Sequence, residues 1–122
     1  MTNVVQNFID ESIKIKNNHI SAYSKFLIKE DLHTPRSLDN EVTDSTIAPF
    51  SEKLMVFHTG FLMTAAISYY GTAAVACMRG DLTLSCEKSI MADFKVYGAF
   101  GKLVIKKNWL EEPPAANDRQ LL

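Results

Sequence analysis

Three residues in this 122-residue chain have the types and the setting to do chemistry: His19, His58 and Glu87. Imidazole and carboxylate groups are the usual ligands of a divalent transition metal, so the three could form one small mononuclear site. His19 and Glu87 fall on or beside apolar faces and are expected to point inward. The alternative is that each is a polar core residue satisfied by a neighbouring hydroxyl or backbone group. Tyr23, Tyr69, Tyr70 and Tyr97 offer such hydroxyls. Cys77 and Cys86 are the only thiols, and two are too few for a disulfide framework. No histidine lies near either in sequence, so a thiolate nucleophile is not indicated. No glycine-rich phosphate loop follows a strand, and no cysteine-histidine spacing suits zinc. The expected reading is no catalytic residue, no cofactor and no metal, with His19, His58 and Glu87 as the weak candidates.

The elements that would carry these residues are helices. The first is expected over residues 3–29, with Asn3 as its cap. Phe8, Ser12, Ile15, His19, Ala22 and Phe26 recur at steps of four and three and fall on one strip. Val5, Ile9, Ile13, Ile20, Tyr23 and Leu27 widen that strip to about half the circumference. Residues 30–50 follow as a connection with Pro35 and Pro49 and no sustained period. It is long for a tight helix–helix link, which suggests either a functional loop or, as the preferred reading, a crossover packed down by Leu32, Leu38, Val42 and Ile47.

The central stretch, Leu54 to Met78, contains no Asp, Glu, Lys or Arg. A helix over 51–79 is expected there, capped by Ser51. Its length would suit a membrane span. Its threonines, tyrosines and two glycines favour the interior of a soluble bundle instead, and no membrane insertion is expected. Gly80 is expected to stop it and Asp81 to cap the next helix, over 82–109. So short a link makes these two helices antiparallel neighbours. Ile90, Phe94, Tyr97, Gly101 and Val104, extended by Cys86 and Glu87, form the expected inner face of the last helix. Pro113-Pro114 then begins a tail over 113–122.

The whole forms one domain, residues 1–122. A net charge of −1 gives no pull toward nucleic acid or anionic lipid. Asp10 and Glu11 come too early for a secretory leader, so a cytoplasmic or spore-associated protein without a signal peptide is expected. Three helices leave part of an apolar central helix wet, and a second subunit is the simplest cover.

In their order and spacing, several segments carry a resemblance. They are His19 in NNHISAY, the proline-bearing acidic loop TPRSLDNEVTD, and APFSEKLM leading into a Gly/Tyr-rich helix that closes with Arg79-Gly80-Asp81. Pro113-Pro114 follows after the last helix. The chain resembles the uncharacterised ferritin-like helical family related to spore coat protein F (domain of unknown function 3231). The resemblance implies an all-α, up-and-down, ferritin-like bundle, with three long helices here. By the family pattern the chain begins at the second helix of the unit. The first helix is then expected from a homodimer partner or another chain.

A ferritin-like di-iron centre would need Glu-x-x-His motifs. Lys16 stands where the first glutamate belongs, and Ile90 where the histidine after Glu87 belongs. The expected function is a non-enzymatic structural or interaction protein, associated with sporulation. The alternative is a metal- or small-ligand-binding ferritin-like protein.

Overall fold

The computed structural model describes residues 2–111, 114–117 and 120. Among them lie three long helices and no strand: α1 (Asn3–Lys29), α2 (Glu52–Ala76) and α3 (Gly80–Lys106), with one 3₁₀ turn at Asp39–Glu41. Pro113 and part of the expected tail fall outside the described residues. None of the described helices is long and apolar enough to cross a membrane.

The caps explain the helix limits. Ser51 accepts a hydrogen bond from the Leu54 amide and opens α2, as its sequence position suggests. Asn3 does not cap α1: it is already helical, and Thr2 holds the cap position with no side-chain bond. Two helices end in the same device. At the end of α1 the Leu32 amide reaches back to the Leu27 carbonyl and that of Asp31 to Ile28, with Asp31 at φ 56°. At the end of α3 the Trp109 amide reaches Val104 and that of Asn108 reaches Ile105, with Asn108 at φ 55°. Both are Schellman closures, with an Asp or Asn accepting the left-handed position in place of glycine. Trp109 then folds onto the core beside Val104. The α2–α3 turn differs from expectation. Met78, not Gly80, is the left-handed residue, at φ 50°, and Gly80 is the first residue of α3. The Thr83 hydroxyl donates to the Ala74 carbonyl at 3.1 Å and satisfies a group that the end of α2 leaves open.

Paired residues fix the directions. Thr2 meets Glu52 at the start of α1 and α2, and Glu30 meets Arg79 just past their ends. These two helices therefore run parallel. Lys16 meets Asp93 and Tyr23 meets Ser89, so α3 runs antiparallel to α1. Phe57 and Gly60 lie against Phe100, and Ala74 against Thr83, so α3 is antiparallel to α2 as well. The path is not simply up and down, because the connection returns along the bundle. A 27-residue helix is about 40 Å long, and 22 residues of extended chain span that easily. The crossover is confirmed, but its packing is not: residues 31–50 are all exposed, and Leu32, Leu38, Val42 and Ile47 anchor nothing.

The apolar core sits at the end of the bundle where α1 and α2 begin. Val5, Phe8, Val56, Met63, Val96, Leu103 and Val104 fill it, flanked by Phe57, Phe100 and Trp109. The expected strip of α1 is the buried one, with Val5, Phe8, Ser12 and His19 inside. The expected strip of α3 is buried only in part: Cys86 and Val104 lie inside, but Phe94, Tyr97 and Glu87 are exposed, and Ser89, Asp93, Val96 and Leu103 turn inward instead. The tightest pair is α2 with α3, while α1 and α2 barely touch. Gly60 marks the close approach: a Cβ there would lie 2.7 Å from the Phe100 ring.

Gly60→Ala is expected to lower the melting temperature, although alanine is the better helix former by about 1 kcal/mol. Overpacking against Phe100 costs about 1–3 kcal/mol and outweighs that gain. Thermal unfolding followed by circular dichroism decides; a higher melting temperature would contradict the packing described.

Candidate functional site

Midway along the bundle the apolar core gives way to a polar layer drawn from all three helices. Lys16, His19 and Tyr23 descend one side of α1. Ser89 and Asp93 face them from α3, one turn apart, and Tyr70 enters from α2. Asp93 is fully buried, and both its oxygens accept from the Lys16 ammonium, at 2.9 and 2.7 Å. A buried carboxylate requires such a partner, because an uncompensated charge in a low-dielectric interior is very costly. The Lys16 ammonium also stands 5.4 Å from the centre of the Tyr70 ring, within cation–π range. Tyr70 stacks on Tyr23 at 5.6 Å and meets the His19 ring edge-on at 5.3 Å.

The hydrogen bonds can be assigned by elimination. The Ser89 hydroxyl donates to the Ser85 carbonyl at 2.9 Å, so the Tyr23 hydroxyl, also 2.9 Å away, donates to Ser89. Burial pushes the Tyr23 phenol up to about 12 and keeps it protonated. Burial raises Tyr70 as well and keeps it protonated; its hydroxyl and His19 Nδ1 share a hydrogen bond of 3.1 Å, in which the phenol donates when the ring proton is on Nε2. Burial also holds His19 below its ordinary pKa. Asp93, 3.9 Å away, opposes that shift, and Lys16 adds to it. The ring is therefore neutral at pH 7.

The three candidate ligands do not converge. His19 is buried in this layer, while His58 and Glu87 are exposed on α2 and α3. His58 stands twelve residues from Tyr70 along α2, about 18 Å from the level of His19. Among the described residues no three His, Cys, Asp or Glu side chains cluster as a metal-holding group. Both cysteines are free. Cys77 sits 3.5 Å from the Thr83 hydroxyl, which lowers its pKa, but no base adjoins it in the polar layer. Among the described residues every buried side-chain nitrogen and oxygen has a hydrogen-bond partner.

Sequence reasoning missed Lys16 and Asp93 as a pair. Lys16 counted only as a failed glutamate, and Asp93 not at all. The available signal was the spacing of Cys86, Ser89, Asp93 and Val96, a helical strip whose polar members need partners on a facing helix. The Arg79-Gly80-Asp81 segment forms a local clasp. Arg79 binds Asp81 through Nε and Nη2, at 3.1 and 2.8 Å, and Glu30 at 3.3 Å. It ties the α2–α3 turn to the end of α1.

Beside the polar layer an open groove runs between α1 and α2. Its apolar half, about 510 Å³, is walled by Ile9, Ile13, Leu62, Met63 and Ala66. Lys16, Asn17 and Tyr70 join it to a second hollow of about 710 Å³ under the connection, beside Arg36 and Asp39.

The family model described as "Protein of unknown function (DUF3231)" matches residues 2–122, and the chain belongs to that family. No curated protein and no solved structure matches it.

Two outcomes follow from this layer. Asp93→Ala strands the Lys16 ammonium and is expected to cost about 3 kcal/mol in urea unfolding, near the low end for a broken buried pair because Lys16 is partly exposed. Lys16→Met combined with Asp93→Leu should recover most of that loss; additive losses would show that the two do not interact. The second outcome concerns pH. The unfolded chain protonates His19 near 6.5, and the folded protein does so only at lower pH. Stability from this residue is therefore complete above about pH 6.5 and declines as pH falls through that value. Lys16 on α1, Tyr70 on α2 and Asp93 on α3 are the groups that face the ring. His19→Gln should flatten the stability profile below about pH 6.5; an unchanged slope would mean that His19 protonates equally in both states.

Proposed function

We propose that this protein is a non-enzymatic structural or interaction protein that works by helix association. The observation that carries this reading is the pairing of a self-satisfied polar layer with an unsatisfied apolar exterior. Among the described residues every buried side-chain nitrogen and oxygen already has a hydrogen-bond partner, and Lys16, Asp93, Tyr23, Ser89, His19 and Tyr70 are engaged with one another. Outside, Phe61, Tyr69 and Val75 of α2 are each more than 70% exposed, with Leu54, Leu62, Ile13 and Ile20 beside them. A contiguous apolar surface of that kind belongs to an interface.

The groove between α1 and α2 is open and apolar-lined, and a further helix there gives a four-helix, ferritin-like arrangement. A homodimer partner or another chain supplies it. The sequence likeness to proteins related to spore coat protein F supports a place in a spore structure, where packing surface rather than turnover is the useful property.

Light scattering of the purified protein in plain buffer, with metal analysis of the same sample, tests this. The expected result is an oligomer without stoichiometric metal. A clean monomer that binds no apolar dye would remove the basis for association. Stoichiometric metal lost on His19→Ala would point instead to a ligand site.

A further inference from the structure

The partner's identity can be argued from the outer face of α2. We infer that it is a second copy of this chain, paired antiparallel along α2 about a two-fold axis at Ala65. This rests on the association reading above and commits it to one occupant and to the outer face of α2 in place of the α1–α2 groove.

The first argument is area. The chain exposes 9859 Å². A folded monomer of 13.7 kDa exposes about 6,600 Å². The exposed connection, with Leu38, Val42, Ile47 and Phe50, accounts for part of the surplus, and the outer faces of the helices for another part. A stable interface of ordinary size removes about 800 Å² from each partner. The surplus is several times that, so the chain carries enough uncovered surface for an extensive dimer.

The second argument is the pattern on the strip. Leu54, His58, Phe61, Ala65, Ser68, Thr72 and Ala76 step by four and three along α2, and all seven are exposed. They form one straight line on the helix, directly opposite the buried Val56, Gly60 and Met63. The line carries no Asp, Glu, Lys or Arg. Its large residues lie in the first half and its small ones in the second. A two-fold interface brings the same patch to itself, residue i onto j and j onto i. An antiparallel pairing centred on Ala65 sets Leu54 over Ala76 and His58 over Thr72, and brings Phe61 to within one residue's rise, about 1.5 Å, of the level of Ser68. Each large side chain meets a small one, twice over by symmetry. A parallel pairing would instead stack Phe61 on Phe61 and leave the small half as a gap.

The third argument is charge. Lys53, just before the strip, then faces the end of the partner's α2. The partial negative charge of that helix terminus favours a cation there. A partner of unrelated sequence would need a matching order of large and small residues; a second copy has it by construction.

The experiment is the mass of three forms of the full chain, by light scattering at micromolar concentration. Wild type is expected at twice 13.7 kDa. Ala65→Asp sets two carboxylates against each other at the axis and is expected to halve the mass, with its helical circular dichroism retained. Ala65→Cys is expected to form a covalent dimer on mild oxidation, because the axis brings the two thiols together. Wild type, whose free cysteines lie away from the axis, should not. The cross-linking arm stands even where Ala65→Asp fails to fold.

A dimer that ignores Ala65→Asp and does not cross-link through Ala65→Cys overturns this surface while leaving the association reading intact. A wild-type monomer that binds an apolar dye overturns self-pairing and leaves another chain as the partner. A monomer that binds none overturns both.

Discussion

A fully buried carboxylate sets the terms for the rest of this fold. Asp93 lies on α3 with no access to water, and the cation that both its oxygens meet, Lys16, is on α1. The pair is demanding. It requires α1 and α3 at one register and one rotation, because a slip of a single residue would turn either group by about 100° and strand the other. Apolar contacts are tolerant by comparison, and many rotations of an apolar helix bury similar area. The ion pair selects among packings that hydrophobic burial would treat as nearly equivalent.

That selection explains the face of α3. Read for apolar content, the best strip is Ile90, Phe94, Tyr97 and Val104. Val104 is buried, but the structure turns the middle of the helix to bring Ser89 and Asp93 inward, and leaves Phe94 and Tyr97 at the surface. On α1 apolar content and polar partners coincide, so the buried strip was legible in the spacing. On α3 they compete, and the partners that decide the outcome lie 66 and 77 residues away along the chain. No local pattern carries that information. The same limit applies to the connection. Its length announced a crossover, but its leucines promised anchors that find no surface to rest on. Of the site candidates only His19 was placed correctly. His58 and Glu87 belong to outer faces, where a polar residue needs no partner.

The polar layer resembles a site in composition but not in state. Catalytic and ligand sites keep donors or acceptors open toward a cavity, and their perturbed pKa values bring a group near working pH. Here the shifts run the other way. Tyr23 and Tyr70 are pushed further into their neutral form, and His19 is held neutral as well. Lysine and aspartate satisfy each other. Such an arrangement is suited to fixing geometry, and His19, Tyr70 and Tyr23 extend it from the ion pair to all three helices.

The geometry that most needs fixing is that of α2. A helix free of charge from Leu54 to Ala76 has little preference for which side it buries. Left to hydrophobicity alone, it could rotate and present a different strip in every molecule, and no symmetric partner could dock. Two contacts remove that freedom. Gly60 admits the Phe100 ring, which no other residue type at that position would allow without displacement. Tyr70, one buried face further along, is held by His19 and lies under Lys16. Together they pin the inner side of α2 at two levels, and so they also determine that Phe61, Ala65 and Thr72 face outward. The polar layer need not touch a partner to govern the proposed association, because it sets the rotation of the helix that would carry it.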